Sequence, residues 1–99
     1  MGLLQMFGIG QRKKEMIAEA KQQGATIIDV RSQAEYKGGH AKGSVNIPLN
    51  TIDNQLEKIK KMKQPILMCC ASGMRSASAT SILKSKGVDC INAGSWTSI

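Results

Sequence analysis

Ile66-Leu67-Met68-Cys69-Cys70-Ala71-Ser72-Gly73-Met74-Arg75-Ser76 is the stretch that decides how this 99-residue chain folds. Its first four residues form an uninterrupted apolar run introduced by Pro65, the pattern of a strand buried on both faces. A six-residue loop follows. A helix is then predicted from about Arg75 to Lys86, with Ala79, Ile82 and Leu83 facing inward and Gly87 as its stop. Val88 to Ile91 reads as the last clear strand. Upstream, Thr26 to Val30 is a β-branched run and reads as a buried strand. Ser32-x-x-Glu35 is a capping box, so a short helix should follow and end at Gly38-Gly39. Val45 to Ile47 makes a second short strand closed by Pro48. Asn50 is placed to cap a helix on which Ile52, Leu56, Ile59 and Met62 recur at helical spacing. Gln11 to Gln23 reads as a further helix ending at Gly24. Residues 1–10 are expected to be a short docking segment or a first strand.

Strands alternating with helices predict an α/β fold in three layers, a parallel sheet of four to five strands with helices on both faces. Residues 1–99 make one domain. In such sheets ligands gather beyond the carboxyl ends of the strands, which is where the loop after Cys69 lies.

Composition narrows the function classes. Aromatic residues are 3% of the chain, too few for a base-stacking nucleic-acid surface. Fourteen Lys/Arg against seven Asp/Glu give a net charge of +7, a balance that suits anionic partners. Lys58, Lys60, Lys61 and Lys63 read as the solvated face of their helix. No apolar stretch reaches the roughly 18 residues needed to span a bilayer. Three cysteines cannot all pair within one chain, and Cys69 and Cys70 are adjacent, so a reducing, cytoplasmic setting with a working thiol is expected. Adjacent cysteines and a single histidine do not make a metal site.

The loop itself is an anion cradle. Backbone amides of Ala71 to Arg75 can turn inward, and the following helix N-terminus adds positive potential. That field lowers the pKa of a thiol and raises its thiolate fraction near neutral pH. Ala71, Ser72 and Gly73 are small and leave the backbone accessible. Arg75 either adds a fixed charge or braces the loop with its planar fork. Cys69 and Cys90, inside strands, read as small buried hydrophobes.

Taken together, three motifs resemble the single-domain rhodanese-like sulfurtransferases over Ala25 to Trp96. They are Asp29-Val30-Arg31 with Glu35-Tyr36, Gly39-His40-Ala41-Lys42-Gly43-Ser44-Val45-Asn46-Ile47-Pro48, and Cys70-Ala71-Ser72-Gly73-Met74-Arg75-Ser76. The resemblance implies a five-stranded parallel sheet and a sulfurtransferase in which Cys70 takes a sulfane sulfur as a persulfide. The donor would be thiosulfate or another small anionic carrier, and the acceptor cyanide, a thiol or a protein. It also implies that Ala71, Ser72, Gly73, Met74 and Arg75 bind the substrate and that Ser76 opens the helix. Asp29 and Arg31 would support the site mainly as scaffold charges, His40 would be structural, and no cofactor is needed. A monomer or homodimer is expected.

Two alternatives accompany this reading. Counted from Cys69, five residues precede Arg75, the spacing of a cysteine-dependent phosphatase or arsenate reductase. Rhodanese-like domains also serve as sulfur carriers or regulatory binding modules.

Overall fold

Short apolar and β-branched runs build the sheet, because each must be covered on both sides. The computed structural model describes residues 2–99, with side chains from Gly10 onward. The strands are β1 (Ile27–Asp29), β2 (Val45–Asn46), β3 (Ile66–Cys70) and β4 (Cys90–Ser95), all parallel, in the order β2-β1-β3-β4. The helices are α1 (Gly2–Gln22), α2 (Gln33–Lys37), α3 (Leu56–Lys60) and α4 (Met74–Ser85). The expected three-layer α/β architecture is present, and among the described residues its sheet has four strands rather than the five that the resemblance implies.

Alternation along the strands divides the core into two halves. On one face Ile28, Met68 and Cys70 pack with Ile59 of α3 and with Ala79 and Leu83 of α4. On the other, Ile27, Leu67 and Cys69 pack with Ala20 and Ile17 of α1 and with Trp96. Both cysteines of the adjacent pair are fully buried, on opposite sides of β3.

The structure corrects several sequence expectations. Residues 2–10 are not a strand: the backbone from Gly2 to Gln22 is one helix. Leu3, Leu4, Gln5 and Met6 favour helix, and Ile9 is the one β-branched residue there. Asn50 caps nothing. The chain leaves Pro48 through two 3₁₀ turns, Leu49–Thr51 and Asp53–Gln55, before α3 begins. The last strand starts two residues later than expected and runs on to Ser95, because a bulge between the Met68–Asn92 and Cys69–Gly94 pairs carries it past Ala93.

The chain passes from β1 outward to β2, then crosses back over β1 to β3, so the strand order reverses between β1 and β3. The crevice of an open α/β sheet lies at the carboxyl ends beside such a reversal. Asp29 ends β1 and Cys70 ends β3 there.

A buried ion pair stiffens this end. Arg31 Nε donates to both carboxylate oxygens of Asp29 at 3.0 Å, and Nη2 donates to Oδ2 at 2.7 Å. Nη2 also donates to the Gly39 carbonyl at 2.7 Å, and the guanidinium lies 4.6 Å over the Trp96 ring. The hydrogen bond to Asp29 raises the Arg31 pKa against the opposing effect of burial. Asn46 Nδ2 donates to the carbonyls of Asp29 and Arg31, tying β2 to the same point. Among the described residues no helix is long and apolar enough to cross a membrane. Asp29→Ala strands the buried guanidinium, and chemical denaturation should show a loss of about 3–5 kcal/mol; a loss below about 1 kcal/mol would mean that the pair is dispensable.

Candidate active site

Cys70 ends β3, and the chain must turn from strand to helix within three residues. Gly73 makes the turn possible. Its φ is +97°, a left-handed conformation, and a Cβ there would come 3.3 Å from the Gly94 Cα. Gly73 occupies the N-cap of α4 and offers no side chain to the free amides of the first turn. The Cys70 sulfur takes that place. It accepts from the Gly73 amide at 3.0 Å and from the Ser76 amide at 3.4 Å, with the Ser76 hydroxyl also 3.4 Å away. An acceptor on the amides of a helix N-terminus is favoured when negative.

The ionisation of Cys70 follows. Burial pushes its pKa up, but the Ser76 hydroxyl and the amides of Ser76, Gly73 and Ser72 outweigh burial, and the net pKa falls below the ordinary thiol value. The other two cysteines move oppositely. Cys69 is pushed up to about 12 by burial and by the Asp29 charge. Cys90 is raised by burial and by Asp89, against an opposing effect of Lys84, and its thiol donates to the Thr80 carbonyl. The field of the loop thus acts on one sulfur only.

The residues expected around the thiol fall into three groups. Ala71 and Ser72 are exposed at the rim, Gly73 is half-buried in the turn, and Met74 projects outward with 77% of its surface exposed. Arg75 does not point over the thiol as a free cation: Nη1 and Nη2 donate to Glu35 Oε1 and Oε2 at 2.7 and 2.9 Å. Ser76 is buried against the sulfur but lies at the third position of α4; Met74, not Ser76, opens the helix. Asp29 and Arg31 pair with each other below the crevice. His40 is exposed, stacks on Tyr36 at 3.8 Å and places Nδ1 2.8 Å from the Tyr36 carbonyl.

Asn92 was missed in the sequence reading, which ended the last strand at Ile91. The bulge in β4 directs its amide at the loop. Asn92 Nδ2 donates to the Gly73 carbonyl at 3.1 Å, and Oδ1 accepts from the Ser76 hydroxyl at 2.6 Å and from the Gly94 amide at 3.1 Å. One side chain therefore holds the turn and orients the hydroxyl nearest the thiol. The available signal was Asn-x-Gly directly after an apolar run, a strand interruption that marks a bulge.

Beside Arg75 an open cleft of about 700 Å³ runs along Val30, Ser32, Pro48, Leu49 and Asn50 at the strand ends. Among the described residues no group of three or more His, Cys, Asp or Glu gathers in a form that could hold a metal. Glu35, held by Arg75 and by the Ser32 amide, is lowered from 4.5 to about 2. A carboxylate depressed in the fold stabilises it above its unfolded pKa, and that contribution is lost as pH falls toward 2. An NMR titration should place Glu35 near 2 and move it upward in Arg75→Ala. In a pH series of alkylation with iodoacetamide, Cys70 should react with a midpoint below that of an ordinary thiol, while Cys69 and Cys90 stay unmodified until the protein unfolds.

The Rhodanese-like domain family model matches residues 11–99. An uncharacterized protein of Bacillus subtilis, YqhL, is 36% identical over 63 residues, 64% of this chain and 49% of that protein. A tRNA uridine(34) hydroxylase of Buchnera aphidicola is 35% identical over 68 residues, 64% of this chain and 22% of that enzyme. The chain thus spans half or less of the length of these relatives. A rhodanese from Escherichia coli, solved with anions, superposes with a TM-score of 0.68 at 28% identity, over 76% of this chain and 91% of that one. A human single-domain sulfurtransferase superposes with a TM-score of 0.63 at 25% identity, over 84% and 88%. With a cysteine-headed loop at the end of its third parallel strand and a family match over nine-tenths of its length, this chain belongs to the rhodanese-like domain family.

Proposed function

We propose that this chain is a sulfurtransferase that moves sulfane sulfur from thiosulfate or a persulfide donor to cyanide or a thiol acceptor through a persulfide on Cys70. The observation that carries the reading is the capping of α4 by the Cys70 sulfur, with two amides and a hydroxyl within 3.4 Å. A thiolate formed there needs no separate base. It attacks the outer sulfur of the donor, the donor's S–S or S–S(O₃) bond breaks, and the electron pair leaves with the thiolate or sulfite. Cys70 then carries one extra sulfur as Cys–S–S⁻ or Cys–S–SH. The acceptor takes that sulfur and returns Cys70 as the thiolate, so no net oxidation occurs. Cys70 has no exposed surface, so the turn at 71–73 yields as the donor enters, and the small side chains Ala71 and Ser72 make that movement inexpensive.

The phosphatase register is disfavoured by the position of Cys69. Its side chain packs in the α1 half of the core, and burial holds its thiol protonated. A sulfur carrier remains the second reading, supported by the closed thiol and by relatives in which a chain like this is about a fifth of a larger enzyme. A carrier loads once and releases slowly without its partner.

Peptide-mapped mass spectrometry after treatment with thiosulfate or glutathione persulfide, then cyanide, tests the proposal. Cys70 should gain one sulfur and lose it to cyanide with many turnovers. Cys70→Ser should abolish loading, whereas Cys69→Ser should keep most of it. Loading that survives in Cys70→Ser sinks the assignment, and a single loading without turnover selects the carrier.

A further inference from the structure

Both arginines nearest the thiol already have carboxylate partners. Arg31 is enclosed by Asp29, and Arg75, the one cation the loop supplies, is gripped at both nitrogens by Glu35. Ala71, Ser72, Gly73 and Met74 carry no charge. The positive potential over Cys70 therefore comes from backbone amides and the α4 terminus. Arg75 still lies within electrostatic reach, since an ionised Cys70 helps to hold it protonated.

Glu35 is built to keep this hold. Its Oε1 accepts from the Ser32 amide and hydroxyl at 3.0 Å in the capping box of α2, and Arg75 donates to that oxygen and to Oε2. The short helix α2 thus presents a fixed negative charge to the mouth of the loop, on a side chain whose position is set by its own cap.

We propose that Glu35 is a specificity-determining residue: by neutralising Arg75 at the mouth of the loop, it tunes Cys70 against dianionic sulfur donors and toward persulfides borne on thiols. Thiosulfate brings two negative charges with the sulfur that is transferred. A thiol-borne persulfide brings at most one to that point, and any further charges lie several bonds away. A loop whose arginine is paired, and which meets the sulfur with amides, distinguishes the two, and Glu35 sets the margin. The proposal rests on the sulfur-transfer reading but acts through charge alone, so it has a readout independent of sulfur chemistry.

The test uses Glu35→Gln, which keeps a hydrogen-bonding partner for Ser32 in the capping box while removing the charge. In the full chain, Glu35→Gln should raise kcat/KM for thiosulfate about fivefold or more and leave that for glutathione persulfide within about twofold. The thiosulfate gain should shrink with added salt. Independently of sulfur transfer, the ratio of Cys70 alkylation by anionic iodoacetate to that by neutral iodoacetamide should rise by a similar factor. Rates for both donors moving together, or an unchanged alkylation ratio, would overturn the proposal and make Glu35 a brace only. If neither donor loads Cys70 in the unsubstituted protein while the alkylation ratio still rises, the sulfur-transfer reading fails and the charge role of Glu35 stands.

Discussion

The carboxyl end of this sheet depends on the Asp29–Arg31 fork. A charge removed from water is costly unless it is paired and its remaining hydrogen-bonding groups are satisfied. Here both conditions are met within a few ångströms. Arg31 joins the end of β1 to the Gly39 carbonyl after α2 and to the face of Trp96 at the chain's far end. Trp96 in turn fills the space beside Gly39, where a Cβ would come 3.2 Å from its ring. The end of β1, the turn after α2 and the distant Trp96 are thereby held to one guanidinium. The crevice above them keeps its shape because its floor is cross-braced in this way.

On that floor the sequence order strand, thiol, turn, helix does the remaining work. The turn needs a left-handed residue, which is why Gly73 stands there. A glycine cap leaves amides without a side-chain acceptor, and the thiol becomes that acceptor. The lowered pKa of Cys70 is thus a consequence of how the helix is started. The same logic explains why Cys69 and Cys90, equally buried but away from a helix start, move in the opposite direction.

Much of this was legible in the sequence. The apolar run 66–69, the capping box at Ser32 and the stops at Gly38 and Gly87 are local signals, and each marks an element near where it forms. The thiol-headed loop was legible because its parts are contiguous. Three features were not. The helical course of residues 2–10 lacks the polar–apolar spacing that advertises a helix. The β4 bulge, and with it Asn92, depends on pairing with β3, which periodicity within one strand cannot reveal. The partner of Arg75 lies 40 residues upstream, so a choice between charge and brace had to await the fold.

Cys69 and Cys70 are neighbours along the chain and strangers in space. With a sulfur loaded on Cys70, an adjacent thiol would be the natural group to attack it, forming a vicinal disulfide and discharging the cargo as sulfide. The pleat of β3 turns Cys69 into the opposite layer, where it meets Ala20, Ile27 and Leu67. The backbone of the central strand is in effect an insulating wall one residue thick, and it would keep the Cys69 thiol away from the persulfide that the proposed reaction places on Cys70.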